Sequence, residues 1–218
     1  MLFENRAQAA RQLAERLQAY ADARPLILAI PRGAVPMAQI LAERLHGDLD
    51  VVLVRKLGAP GNPELAIGSV DELGHTYLGP DTAGWVDSSY IDQEREKQMD
   101  VLRRRRAMYT PVRPPISPAD RVAIVVDDGI ATGSTMIAAL RAVRAQGPAK
   151  LVAATAVAPP STVRRIAAEA DEVICLATPV DFAAIGQFFA DFSQVDDAEV
   201  CAILQEATRP RKPGAAAK

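Results

Sequence analysis

A chain of 218 residues, 49% of them hydrophobic, is long enough to bury the core of one large domain with a small appendage. Its 25 basic and 27 acidic side chains nearly cancel, to a formal net charge of −2, which argues against a nucleic-acid-binding surface. No apolar run approaches the roughly 20 residues of a membrane span, and the opening "MLFENRAQAARQLAERL" carries acids and no cleavage site after an apolar core. A cytoplasmic location without membrane contact is therefore expected. Cys175 and Cys201 lie far apart in apolar and amphipathic stretches, and His46 and His75 are the only histidines, so the pattern favours core cysteines over a disulfide or a metal site.

In chain order, residues 4–20 place Ala10, Leu13, Ala14 and Leu17 at helical spacing, and Pro25 closes that helix. "PLILAIPRG" reads as a buried strand ending in a glycine turn, "AVPMAQILAERLHG" as the next helix and "LDVVLVRKLG" as a second buried strand. The Gly- and Pro-rich "LGAPGNPELAIGSVDELGHTYLG" predicts a long loop carrying a hairpin around "ELG". A charged helix, "DSSYIDQEREKQMDVLRRRRAMY", and a linker, "RPPISPAD", follow. Strand and helix then alternate through "RVAIVVDD", "GSTMIAALRAVRAQG", "AKLVAATAVA", "PSTVRRIAAEA" and "DEVICLAT". Residues 179–207 mix aromatics and acids before a helical end, and 209–218 have a disordered composition. Strands apolar on both faces, alternating with helices, imply an α/β fold whose parallel sheet is flanked by helices.

The stretch "VAIVVDDGIATGST" joins two chemistries at one strand end. Gly129, Ile130, Ala131, Thr132, Gly133, Ser134 and Thr135 form a loop of mostly small residues opening a helix, where unpaired amides and the helix dipole favour an anion such as phosphate. Asp127 and Asp128 repel an anion and suit hydroxyls or a metal ion instead. Together they describe a sugar phosphate.

A hydrophobic strand, paired acids and a T-G-x-T loop resemble the signature of type I phosphoribosyltransferases, which bind 5-phosphoribosyl-1-pyrophosphate (PRPP). The resemblance extends over residues 25–204 and is strongest to a bacterial subgroup with a "DDG-x-ATG" cradle and an "R-K-x-G-x-P-x-x-x-E-L-A-I-G" loop. It implies one domain over residues 1–208, with a flexible hairpin flap at about 56–80 and a small C-terminal hood at about 179–207. It implies that Asp127 and Asp128 hold the ribose hydroxyls and that Ala131 to Thr135 hold the 5-phosphate. "AIPRGAVP" then matches the pyrophosphate loop, through Arg32 and Gly33, and "VRKLG" opens the flap, from which Arg55 or Lys56 reaches the pyrophosphate.

The reaction so implied is displacement of pyrophosphate from C1 of PRPP by a nitrogen nucleophile. Arg32, Lys56, Asp127 and Asp128 would be its catalytic residues, and Mg2+ would be held mainly through PRPP. "PVDFAAIGQFFADF" is similar to the hood of purine-using members, which makes Phe182 and Asp191 candidate acceptor contacts; core packing explains these aromatics equally well. Position 131 is Ala where purine-salvage enzymes place an acid, and "TAVAPPS" lacks their lysine, so a purine-like base, a pyrimidine and another amine stay open as acceptors. The expected setting is nucleotide salvage by a homodimer. A PRPP-binding regulatory or non-catalytic domain is the alternative. The run Arg103 to Arg106 spreads around a helix and reads as a solvated or interface surface.

Overall fold

The sequence folds, in a computed structural model that describes residues 1–79, 85–109, 111 and 115–208, into six α-helices, two short 3-10 helices and eight strands among the described residues. Helix α1 (Arg6–Arg16), strand β1 (Leu26–Ala29), helix α2 (Val35–Arg44) and strand β2 (Asp48–Val51) come first. Strands β3 (Val54–Ala59), β4 (Asn62–Asp71) and β5 (Thr76–Leu78) precede the long helix α3 (Ser88–Tyr109). Then follow β6 (Val122–Asp127), α4 (Ser134–Arg144), β7 (Lys150–Val157), α5 (Pro160–Ile166), β8 (Glu172–Ala177) and α6 (Asp197–Ala207). No helix among the described residues is long and apolar enough to cross a membrane. The tail expected at 209–218, residue 80 of the flap span, and Arg113 and Pro114 of the linker lie outside the described residues.

Five strands form a parallel sheet in the order β2-β1-β6-β7-β8, in register from Leu26↔Asp48 and Leu26↔Ala123 outward. Helices cover both faces, which is why β1, β6 and β7 read as nearly unbroken apolar runs. Ala10, Leu13 and Leu41 of α1 and α2 pack with Ile27, Ile124 and Val152 on one face. Met136, Leu140 and Ile166 of α4 and α5 pack with Leu28, Val125 and Leu151 on the other. Strand order reverses between β1 and β6, so the loops leaving their carboxyl ends diverge and open a crevice there.

Three expectations change. The run 49–58 is not one strand: β2 pairs with β1, whereas β3 pairs antiparallel with β4 in a second sheet. Val52 and Leu53 between them are buried, so hydrophobicity continues across a break that only the change of pairing partner creates. The Gly/Pro-rich stretch is not a loop with a hairpin but a three-stranded antiparallel sheet, β3-β4-β5. Its glycines serve turns and a bulge: Gly61, with φ 72°, follows Pro60 in the tight turn between β3 and β4, and Gly58 lies at the register shift. The helix expected over 4–20 stops at Arg16, and residues Gln18–Ala23 wind as a tighter 3-10 turn before Arg24, left-handed at φ 47°, meets Pro25.

The turn between β4 and β5 is organised by one buried carboxylate. Asp71 Oδ1 accepts from the Leu73 and His75 amides, each at 2.9 Å, while Oδ2 lies 3.0 Å from His75 Nδ1 and accepts from Tyr77 Oη at 3.3 Å. Burial, then the adjoining Asp71 charge, pushes the Tyr77 hydroxyl up to about 12, so it stays a donor at neutral pH. Asp71→Ala strands these donors. It is expected to cost about 1–3 kcal/mol in denaturant unfolding and to lose hydrogen-exchange protection first in residues 54–78.

Candidate active site

The crevice between β1 and β6 collects the acids, the 129–135 loop and the cations singled out in the sequence. After β6 the chain turns through Gly129 and Ile130, whose amide closes on Val157 O at 2.8 Å. Gly133 then takes φ 84°, a conformation open to glycine, and α4 begins at Ser134. Helix α5 grips this loop by its carbonyls: Thr162 Oγ1 donates to Ala131 O at 2.7 Å and Arg165 Nη1 to Thr132 O at 2.8 Å. The amides of Ala131 to Thr135 have no protein acceptor among the described residues, so the loop presents a row of N–H donors at a helix N-terminus.

Asp127 and Asp128 stand beside it. Asp127 Oδ1 accepts the Asp128 amide at 3.0 Å. Burial, and then the charge on Asp128, push the Asp127 carboxyl well above the usual range. Burial also raises Asp128, opposed by Arg6, whose Nε donates to Asp128 Oδ2 at 2.8 Å. The same guanidinium donates from Nη1 to Ser193 O at 2.7 Å and lies 3.8 Å from the centroid of Phe192. Arg6 therefore ties the first helix, the second acid and the C-terminal segment together. Nothing local in the sequence marks it, because its partners lie 122 and 187 positions away.

On the other side of the crevice, the loop after β1 brings Arg32 and Gly33. A methyl group on Gly33 would overlap Asp128 Oδ2 and lie 3.0 Å from its Cγ, so this loop closes directly onto the acid pair. Arg32, Arg55, Lys56, Arg105 and Thr135 line one cleft of about 370 Å3 with Pro31 and Val54. Arg55 Nε donates to Gln98 Oε1 at 2.9 Å, and Arg32 Nη1 lies 3.5 Å from Asp197 Oδ2, whose other oxygen accepts from Tyr109 Oη at 3.0 Å. Arg105 belongs to the run expected on a solvated or interface surface; it faces this cleft, and its neighbour Arg106 turns inward to Glu72 at 2.6 Å. Their directions come from where α3 docks.

The acceptor candidates are not brought together in the same way. Phe182 is half-buried with its ring 5.1 Å from that of Phe188. Asp191 is exposed, caps the Ser193 amide at 3.0 Å, accepts from the Ser193 hydroxyl and lines a separate groove with Asn5, Arg6 and Pro36. What overlies the cradle is Ile185, since a methyl on Gly129 would overlap its Cγ2. Helix α6 packs instead beside α2 and β2.

Two outcomes follow. Gly33→Ala drives a methyl into Asp128 and should lower the melting temperature, measurable by calorimetry. For Asp127 the folded pKa is raised, so between the usual carboxylate range and that value the native chain binds a proton that the unfolded chain has released. Stability falls as pH rises through this window. Asp127→Asn keeps the acceptor for the Asp128 amide and removes the penalty. The unliganded variant should be the more stable protein at pH 7, with its advantage shrinking towards pH 4 in urea titrations.

Comparison with known proteins agrees with this layout. The phosphoribosyl transferase domain matches residues 2–191. A Mycobacterium tuberculosis protein named provisionally as a phosphoribosyl transferase is 43% identical over 210 residues, 95% of this chain and 47% of the relative. The chain thus spans about half the length of the curated relatives it matches. The crystal structure of TT1426 from Thermus thermophilus is 47% identical, covers 94% of this chain and 99% of its own, and superposes with a TM-score of 0.86. A purine phosphoribosyltransferase from Pyrococcus horikoshii shares the fold at 17% identity, with 88% of this chain and 93% of its own covered and a TM-score of 0.50. With the match running through the sheet, both crevice loops and the C-terminal segment over the cradle, this chain belongs to the phosphoribosyl transferase domain family.

Proposed function

We propose that the chain, as one domain over residues 1–208, moves the 5-phosphoribosyl group from PRPP to a nitrogen acceptor and releases pyrophosphate. The observation that carries this reading is the layout of charge across one crevice. A row of amides without a protein acceptor among the described residues and two carboxylates lie on the β6 side, and a cleft lined by cations lies on the β1 side. Such an arrangement suits a sugar with hydroxyls in the middle, a monophosphate at one end and a more highly charged group at the other.

In this reading the amides of Ala131 to Thr135, with Gly129 and Ile130 shaping the turn, hold the 5-phosphate, and Asp127 and Asp128 accept from the ribose 2- and 3-hydroxyls. As the bond from C1 to the pyrophosphate oxygen lengthens, positive charge develops on the ribose and negative charge on the departing group. The two carboxylates face the first charge. Arg32, Arg55 and Lys56, with the Gly33 loop, face the second, and this preorganised field lowers the barrier. The β3-β4-β5 sheet, the flap of this proposal, closes over the cleft and excludes the water that would otherwise intercept C1.

Among the described residues no three His, Cys, Asp or Glu side chains gather into a metal cage. The chemistry of the acid pair and the cationic cleft fits a Mg2+ that would come with PRPP, with Asp127 and Asp128 as the residues on the diol side of the crevice. Bound there, the ion would neutralise charge on the leaving pyrophosphate.

A purine-like base is the acceptor we favour. Its support is the aromatic surface of the hood, where Phe182 is half-buried; Asp191, already engaged by Ser193, is the weaker contact. Nucleotide salvage, a cytoplasmic location and a homodimer belong to the same proposal and rest on the family resemblance.

The test is isothermal titration with PRPP and Mg2+, followed by a nucleobase panel in a pyrophosphate-release assay. Binding should be lost in the folded Asp127→Asn/Asp128→Asn variant, whose amides cannot supply two charged acceptors; undiminished affinity there would sink the assignment. Arg32→Ala should lower kcat by roughly tenfold to a thousandfold with a smaller effect on PRPP affinity.

A further inference from the structure

Four consecutive arginines near the end of α3 meet four different surroundings. Arg103 faces solvent and pairs with Asp100 at 2.8 Å and Glu96 at 3.6 Å. Arg104 is exposed. Arg106 turns into the protein, 2.6 Å from Glu72 and 3.6 Å from Asp50. Arg105 is half-buried, has no ion pair or hydrogen bond among the described residues, and lines the cleft that also holds Arg32, Arg55 and Lys56. A helix turns about 100° per residue, so the four must diverge, and the docking of α3 decides which one reaches the cleft.

The same helix reaches the cleft a second time. Gln98 accepts from Arg55 Nε at 2.9 Å and is itself held by Glu94 Oε1 at 2.8 Å, so α3 fixes one arginine and contributes another. Two guanidinium groups set side by side repel. Arg55 accordingly sits below its usual value, through burial first and the Arg105 charge second. Repulsion of this kind in a half-buried cleft is relieved by an anion bearing several charges on adjacent oxygens, which a planar guanidinium meets with two parallel N–H donors.

We propose that Arg105 is a further pyrophosphate ligand, donated by α3, whose guanidinium binds the diphosphate oxygens of PRPP alongside Arg32, Arg55 and Lys56. This rests on the phosphoribosyl transfer reading above and adds to it a wall of the site that lies outside both crevice loops. It also makes α3 a functional element: any movement of this helix relative to the parallel sheet changes the spacing of cations around the leaving group.

The test titrates the full chain, in Mg2+ buffer, with inorganic pyrophosphate and separately with ribose 5-phosphate. Arg105→Gln should weaken pyrophosphate binding about 10- to 100-fold, as expected for a lost charge-assisted hydrogen bond, and leave ribose 5-phosphate affinity within about twofold. Arg105→Lys should recover part of the loss, and Arg104→Gln should change neither affinity. Because Arg105→Gln removes a repulsion, its melting temperature should not fall below that of the parent. If both ligands bind the parent and pyrophosphate affinity survives in Arg105→Gln, or if both affinities drop together, Arg105 is not a pyrophosphate ligand. A parent chain that binds neither ligand overturns the phosphoribosyl transfer reading itself.

Discussion

The contact between Arg6 and Asp128 is the one on which the crevice depends. A carboxylate buried at the end of a parallel strand, next to a second carboxylate, needs a counter-charge that is itself held in place. Arg6 provides it with Nε, while Nη1 and the guanidinium face are spent on Ser193 and Phe192. Gly33 leaves room for this pair, since any side chain there would enter the space of the Asp128 carboxylate. The first helix, the β1 loop, the β6 loop and the C-terminal segment are thereby fastened to one side chain. The approach of Ile185 to Gly129 adds a second, apolar fastening of the same segment.

Around that anchor the charges are sorted by sign. Asp127 and Asp128 are crowded on one side, and Arg32, Arg55, Lys56 and Arg105 on the other. Each group of like charges raises the energy of the free protein, a local conflict with the rest of an otherwise consistent fold of the kind that marks a candidate functional site. Asp197 partly answers the cations: placed in the first turn of α6, it lies 3.5 Å from Arg32 and accepts from Tyr109. Arg32 is thereby steadied from the opposite end of the chain, beyond the residues that the family domain spans.

How much of this could be read in advance divides along a physical line. The parallel sheet and its loops were legible because strands covered on both faces must be apolar throughout, and because the small-residue loop and its acids are contiguous in "DDGIATGST". The break at Val52 and Leu53 was not, because both residues are buried on either side of it and carry no turn signal. The β3-β4-β5 sheet was half legible: the turn at "ELG" announced itself, but the other glycines, needed at a bulge and a tight turn, imitated a loop.

By itself, then, the sequence determined the alternation of elements, the small-residue loop of 129–135 with its adjacent acids, and the cations placed in the turn after β1 and at the start of β3. All of these are encoded by neighbours within a few positions. Only the tertiary structure decided that Arg6 serves Asp128, that Arg105 rather than Arg104 enters the cleft, and that Phe182 and Asp191 face different surroundings. These depend on the angle at which α1, α3 and the C-terminal segment dock on the sheets. That angle is set by the summed packing of side chains distant in sequence, and no local pattern records it.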